Sequence, residues 1–323
     1  PLAATWPGCC GVGWVVLMLG AGAVQAGLVP LTEGGVDLVC DTDYTPVGAS
    51  GPGLIWTADA NLFKTQYDAD NTVVAQIIAA VPTITSNDGT HNVVAGDFNT
   101  SNGRMTWYGA MAWAEWLRIT TYGGANDWRL WSALNSDGSG PCGPAYNCTD
   151  SEFGHLYYTE GGLTEGQLIT ESSALTSVFT NMEFFYWAGT EYAPIANYAW
   201  LFRTGTSVPN QGGFQGIDPK NLQFWGWAVR PGQCPAITYT LTVTKAGSGT
   251  GTVTSNPGGI DCGVDCSENY TGVTAVALTA TADVGSIFSG WSGDADCADG
   301  SVTMDADKSC TSLLYTSDDD DEE

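Results

Sequence analysis

Positive charge is scarce in this sequence. Nine Lys and Arg stand against 35 Asp and Glu, a formal net charge of −26 over 323 residues. A surface of that sign repels nucleic-acid phosphates and anionic lipid, so neither is an expected partner. Metal cations and neutral sugars fit it better, although acidity can serve solubility alone. Histidine is nearly absent as well: His91 and His155 are the only two. Neither is near Cys262-x-x-x-Cys266 in sequence, which argues against zinc there, because a structural zinc site needs four converging soft ligands. No Gly-x-Ser-x-Gly elbow occurs, and a Ser-His-Asp set would have to use one of these two His. His91 lies in a polar stretch and His155 beside core-type aromatics. Gly247-Ser248-Gly249-Thr250-Gly251 runs into Thr252-Val253-Thr254, strand residues rather than a helix N-terminus, and reads as a turn instead of a phosphate loop. No apolar run is long enough for a confident membrane span.

What the sequence has in quantity is glycine, aromatics and paired-looking cysteine. With 43% hydrophobic residues, 42 Gly, 13 Trp and 13 Tyr, it reads as a turn-rich globular chain with much β structure, long enough for two domains. Trp14–Leu19 followed by small residues up to Ala26 resembles the core and cleavage site of an export signal, N-terminally truncated because no basic segment precedes it. A mature start at Gly27 and an extracellular or bacterial cell-surface location are therefore expected. Cys9 and Cys10 would leave with the signal, and no lipoprotein anchor is indicated. Eight cysteines remain, and in an exported chain an even number argues for disulfides. The expected pairs are Cys40–Cys234, Cys142–Cys148, Cys262–Cys266 and Cys297–Cys310.

The chain divides near Cys234-Pro235-Ala236. Residues 27–236 contain ten of the Trp and three candidate helices. Thr106 caps the first, with Trp107, Ala110, Met111, Ala114 and Leu117 on one face up to about Arg118. Thr149-Asp150-Ser151-Glu152 opens a second with capping-box spacing and turns Phe153, Leu156 and Tyr157 inward. A third covers about Ser173–Thr180. Aromatic strands are expected at Phe184–Trp187, Tyr198–Phe202 and Phe224–Val229, with a loop from Gly205 to Asn221. Helices followed by an antiparallel sheet predict an α+β domain. After residue 236, Tyr239–Thr244 alternates with period two and no helical pattern appears, so residues 237–316 predict an all-β module. The acidic end, 317–323, reads as a solvated tail.

Several ordered motifs then point to a family. Gly53-Leu54-Ile55-Trp56, Thr106-Trp107-Tyr108, Ala112-Trp113-Ala114, Asn126-Asp127-Trp128-Arg129-Leu130, Tyr186–Tyr192, Ala199-Trp200 and Trp227-Ala228-Val229-Arg230 resemble the Lcl C-terminal domain family over about residues 50–231. The resemblance implies a C-type-lectin-like α+β fold, an extracellular setting and, in some members, adhesion to glycans or polyanions. Trp131, where the family usually has Pro, and an insertion at about 64–103 depart from it. Gly249–Val253, Pro257–Gly263, Phe288–Gly293 and Val302–Asp305 are similar to bacterial repeat domains of the internalin B-repeat type over 238–315. Those modules are small β folds, often surface spacers.

These readings give a secreted or cell-surface, non-enzymatic binding protein that recognises glycans or other extracellular polymers. The alternatives are a self-associating structural component of a matrix, sheath or appendage, and a glycan-acting hydrolase using carboxylates such as Asp127, Glu152 and Glu191. Trp187, Tyr192, Trp200 and Trp225, with Trp227, are the candidate sugar-stacking aromatics, although alternating aromatics equally fill a core. Glu191 and Arg129 are expected as an ion pair or as ligand-orienting groups. The Glu-Pro-Asn type of calcium signature is missing; Val208-Pro209-Asn210 comes nearest and lacks the carboxylate. Asp68, Asp70 and Asn71 supply oxygen ligands for a structural calcium, without the bidentate Glu of a complete loop. No other cofactor is expected.

Overall fold

The computed structural model describes residues 27–205, 211–236, 238–272 and 274–317. The expected export segment, Val208-Pro209-Asn210 and the acidic tail from Asp318 lie outside the described residues. The first module opens with strands Leu28–Glu33 (β1), Val36–Asp41 (β2) and Leu54–Thr57 (β3). Helices Leu62–Ala69 (α1) and Val73–Ala80 (α2) follow, then hairpins Thr83–Ser86 with Gly89–Asn92 (β4, β5) and Phe98–Asn99 with Arg104–Met105 (β6, β7). Next come helix Trp107–Ile119 (α3), strand Arg129–Leu130 (β8), the single turn Glu152–Gly154 (α4), a π-helical turn over His155–Glu160, and helix Ser173–Val178 (α5). Phe185–Glu191 (β9), Tyr198–Arg203 (β10), Phe214–Pro219 (β11), Trp225–Gly226 (β12) and Ala228–Pro231 (β13) complete it.

The expected α+β, C-type-lectin-like class is not what forms. Strand residues outnumber helical ones, 39% to 20%, and the strands are shared among several small sheets. Two local departures explain much of the shift. The helix expected from Thr149 makes one α turn and then widens into a π turn. The segment expected as loop up to Asn221 contains β11, held in register by β10 from Tyr198↔Pro219 to Arg203↔Phe214. Strand formation depends on the partner available more than on composition, and no local pattern announces that partner. The α3 helix is as expected, with Thr106 Oγ1 accepting from Gly109 N at 3.1 Å and Trp107, Ala110, Ala114 and Leu117 buried.

The five-stranded sheet runs β1-β2-β3-β13-β8, and its middle is buried on both faces. Because strand side chains alternate, β2 sends Leu38 and Cys40 into one core cluster with α1, α2 and α3, and Val39 into another with Phe153, Leu156, Tyr157, Tyr186, Trp200 and Phe202. Strand β3 divides likewise: Ile55 joins the first cluster, Leu54 and Trp56 the second. Asp41 has the parity of Val39, so period two carries a carboxylate to 0% exposure at the end of β2.

The second module is all-β apart from a short 3-10 turn at Ala295–Asp299. Its strands are Thr238–Ala246 (β14), Gly251–Asn256 (β15), Ser267–Thr271 (β16), Ala275–Ala282 (β17), Ser286–Gly293 (β18), Ser301–Thr303 (β19) and Lys308–Thr316 (β20). They form sheets ordered β16-β14-β20-β18 and β15-β17-β19. The alternation in β14 buries Leu241 and Val243 in a core with Val253, Ile260, Val276, Val302 and Met304.

Four disulfides join Cys40 to Cys234, Cys142 to Cys148, Cys262 to Cys266 and Cys297 to Cys310, the pairs expected from the sequence. The first spans 194 residues and ties β2 to the segment after β13. Cross-linking so long a loop removes much unfolded-chain entropy, so the C40S/C234S double variant is expected to lose about 4–5 kcal/mol. A lowered urea midpoint, set against a smaller loss for C142S/C148S, checks this.

Candidate functional site

The short α4 turn supplies three consecutive roles. Ser151 caps it, its Oγ accepting from Gly154 N at 3.1 Å. Phe153 is fully buried, with ring centroids 4.7 Å from Phe202, 5.3 Å from Trp131, 5.4 Å from Tyr186 and 5.6 Å from both Trp56 and Trp227. Glu152 and His155, which flank that anchor in sequence, enter two different groups of side chains. Gly154 has to be glycine here, since a Cβ would lie 1.7 Å from the Cys148 carbonyl oxygen.

Glu152 holds Arg129 in a two-pronged pair, with Nη1 donating to Oε2 at 2.8 Å and Nη2 to Oε1 at 2.6 Å, while Ser132 N also donates to Oε2. This pair lies along a cleft of about 340 Å³ between α3, β8 and β9. Met111, Ala114, Leu130 and Gly189 give it apolar surface; Ser132, Thr190 and Glu115 give it polar groups. Met111, expected within the buried stripe of α3, is half-buried and faces this cleft.

The expected Glu191–Arg129 partnership does not form. Glu191 instead accepts from Lys220 Nζ at 2.7 Å and from Asn87 N at 2.8 Å. Lys220 is 1% exposed, reaches Asp88 at 2.9 Å and the Ala196 carbonyl at 2.6 Å, and lies 4.8 Å from the Trp107 ring centre. Asp88 also accepts from Ser86 and Tyr108. Burial pushes its carboxyl up, but the hydrogen bonds from Ser86, Tyr108 and Lys220 hold it well below the usual range. Nearby, His91 stacks on Tyr108 at 4.0 Å and meets Asp97, which also accepts from Thr106 Oγ1 at 2.7 Å. Thr106 therefore gives its proton to the carboxylate and not to the imidazole, so this is no nucleophile–base pair. Glu152 and Glu191 are both committed to cations, and Asp127 is exposed.

The aromatic platform is likewise not present as drawn from the sequence. Trp187 is 0%, Trp225 3% and Trp200 4% exposed, and Trp227 is fully buried. Trp187 Nε1 donates to the Met105 carbonyl and Trp225 Nε1 to that of Asn102, which makes them core members with satisfied polar tips. Tyr192 is half-buried, packed edge-on to Trp200. The proposed calcium ligands also have other duties. Asp68 pairs with Lys64, and Asp70 accepts from Thr72 and Gln76.

A further group, which the sequence did not reveal, gathers around His155. Asp41, Asp43, His155 and Glu160 bring one ligand atom each to within 4.8 Å of one another. His155 Nε2 is 3.6 Å from Asp41 Oδ1, 3.6 Å from Asp43 Oδ1 and 3.2 Å from Glu160 Oε1. Burial raises the Asp41 and Glu160 carboxyls, and their negative neighbours add to the rise. Burial alone would lower the imidazole, yet the three carboxylates carry it well above its ordinary value. The Asp41-Thr42-Asp43 spacing just after Cys40 was the one available signal, and nothing local connects it to His155.

The β order and core of the second module permit a comparison with known proteins. Residues 239–313 match the divergent InlB B-repeat domain. The match agrees with the resemblance read over 238–315 and lies wholly within the second module. No curated protein and no solved structure matches the chain. A B-repeat domain is a feature of surface- and adhesion-type proteins, and among the described residues no helix is long and apolar enough to cross a membrane. In the B-repeat, Cys262, Cys297 and Cys310 are buried in the core, and the edge strand β18 leaves Ile287 and Phe288 exposed.

The Lys220 network makes a prediction. Lys220→Met removes a buried cation from two partly buried carboxylates and a carbonyl, so stability should fall by about 2–4 kcal/mol, less than for a fully buried pair because Asp88 and Glu191 can hydrate. Chemical denaturation of the variant against wild type measures this.

Proposed function

We propose that this chain is a non-enzymatic, extracellular or surface-attached adhesion protein whose first module takes a neutral, hydroxyl-rich segment of a glycan or related polymer in the Arg129–Glu152 cleft. The B-repeat domain supports the surface setting, and the Lcl-like motifs of the first module point the same way. The observation that carries the ligand reading is the cleft itself. It joins apolar surface from Met111, Ala114 and Leu130 to hydroxyls of Ser132 and Thr190 and to a guanidinium already neutralised by Glu152. A sugar has the matching division, with C–H faces and hydroxyl edges, and convergent polar groups around apolar surface are what small-ligand sites use. A polyanion would meet the net charge of −26 without an unpaired cation in the cleft to offset it.

Gly189 offers a clean test. A Cβ there would meet Leu130 at 3.6 Å and Met111 Sδ at 3.8 Å, ordinary contact distances, so a larger side chain can occupy the cleft without displacing backbone. Glycan-array binding followed by titration of the oxidised protein should give saturable binding, and Gly189→Phe should weaken it by at least about tenfold, or 1.4 kcal/mol, with the near-ultraviolet circular dichroism unchanged. Equal binding by the variant would remove the cleft from the reading, and turnover of a bound glycan would remove the non-enzymatic part.

One feature favours the structural alternative. Strand β18 is an edge of its sheet with exposed Ile287 and Phe288, and edge strands can pair with another chain. Concentration-dependent assembly without saturable ligand binding would make a matrix or sheath component the better description.

A further inference from the structure

We propose that Asp41, Asp43, His155 and Glu160 form a structural binding site for one divalent cation of the Zn²⁺ or Mn²⁺ class, locking the end of β2 to the π-helical turn. Three observations support it independently of the cleft. The first is the set of unmet polar atoms. Asp41 is 0% and Glu160 3% exposed, yet Asp41 Oδ2, Glu160 Oε2 and His155 Nε2 are buried with no hydrogen-bond partner. Buried polar groups are nearly always paired, so three unpaired atoms at one place point to a missing ligand.

The second observation is distance. Donors about 2.0–2.2 Å from a central cation stand about 3.3–3.6 Å apart at the corners of a tetrahedron. His155 Nε2 stands 3.2 Å from Glu160 Oε1 and 3.6 Å from both Asp41 Oδ1 and Asp43 Oδ1, so each of the two buried carboxylates has one oxygen at this spacing beside its unpaired one. The competing account makes His155 an imidazolium counter-ion. An imidazolium has one N–H at Nε2, which can serve only one carboxylate, and none of the three contacts has hydrogen-bond geometry. It would also leave the group with two net negative charges, where a divalent cation on a neutral imidazole leaves one.

The third observation is the backbone that presents the ligands. In an α-helix, residues five apart point about 140° away from each other. The π turn over His155–Glu160 returns them to one face, and such turns occur frequently at functional sites. The Tyr44 ring, 5.0 Å from that of His155, backs the imidazole, and Tyr44 N donates to Asp41 Oδ1 at 3.1 Å, which fixes that carboxylate. Three carboxylate oxygens with one imidazole nitrogen suit Mn²⁺ or Zn²⁺; Ca²⁺ prefers oxygen throughout. All four positions are protein ligands, which is the pattern of a structural site rather than a catalytic one.

The test is calorimetric titration of the oxidised, chelator-treated protein with Zn²⁺, Mn²⁺ and Ca²⁺, together with its melting temperature. One equivalent of Zn²⁺ or Mn²⁺ should bind and raise the melting temperature, with Ca²⁺ weaker. Asp43 has a side chain 55% exposed, so Asp43→Asn should fold and still lose at least about tenfold in affinity. Glu160→Gln and His155→Gln should lose more, whereas Asp265→Asn, in the B-repeat, should change nothing. No binding of any of the three cations to folded wild-type protein would overturn the proposal, as would binding that Asp43→Asn and Glu160→Gln leave unaltered. Tightest binding by Ca²⁺ with His155→Gln unaffected would also overturn the assignment. Failure of the cleft to bind glycan leaves each of these readouts unchanged.

Discussion

The Phe153 ring joins parts of the chain that are far apart in sequence. It touches Trp56 from the first sheet, Tyr186 and Phe202 from the second, and Trp131 and Trp227 from the segments between. Aromatic pairs of this kind contribute about 0.5–1.5 kcal/mol each beyond the area they bury. Because Phe153 cannot rotate or withdraw without opening both sheets, its neighbours Glu152 and His155 are fixed as well. The cleft and the carboxylate cluster thus inherit their geometry from the core rather than from loops, which is what a preorganised binding surface requires.

Charge is distributed with the same economy. Of the nine cationic side chains, Arg129, Lys220, Arg230, Arg203, Arg118, Lys64 and Lys308 are all in ion pairs, and Lys220 and Arg230 are well buried against the protein. Each pair also cancels a carboxylate, so the net charge of −26 is carried by carboxylates without a cationic partner. Any ligand that arrives must be neutral, cationic, or bound by an internal group already compensated, as at Arg129. Among the described residues, Asp41, Asp43 and Glu160 converge on His155 with no Lys or Arg among their ion-pair partners.

Much of the architecture was readable where the signal is local. The Thr106 cap, the α3 stripe, the period-two alternation of β14 and the four cysteine pairs all depend on short spacings or on even counting, and these appear in the structure. The mostly-β character was not readable, because β11 is made a strand by β10 and the α4 helix is cut short by a change of helical type. The aromatic platform failed for a related reason. Period two shows that Trp225 and Trp227 share a direction, but not whether that direction is core or solvent, and here it is core. Arg129 was expected to pair with Glu191, and its actual partner Glu152 could not be told from it without the tertiary fold.

The carboxylate cluster shows most clearly where reading by pattern ends. Period two in β2 dictates that Asp41 must follow Val39 to the buried side, so the sequence does imply a buried carboxylate once the strand's register is known. It cannot imply the compensation. That comes from residue 155, more than a hundred positions away, and from a π turn that no hydrophobic periodicity encodes. An uncompensated carboxylate in an aromatic core is costly enough to neutralise itself or unfold its surroundings. Asp41, at the end of a central strand next to the disulfide-bonded Cys40, is therefore relieved either by protonation, toward which burial pushes it, or by positive charge close by. His155 can provide one unit of it, and three carboxylates ask for more than one.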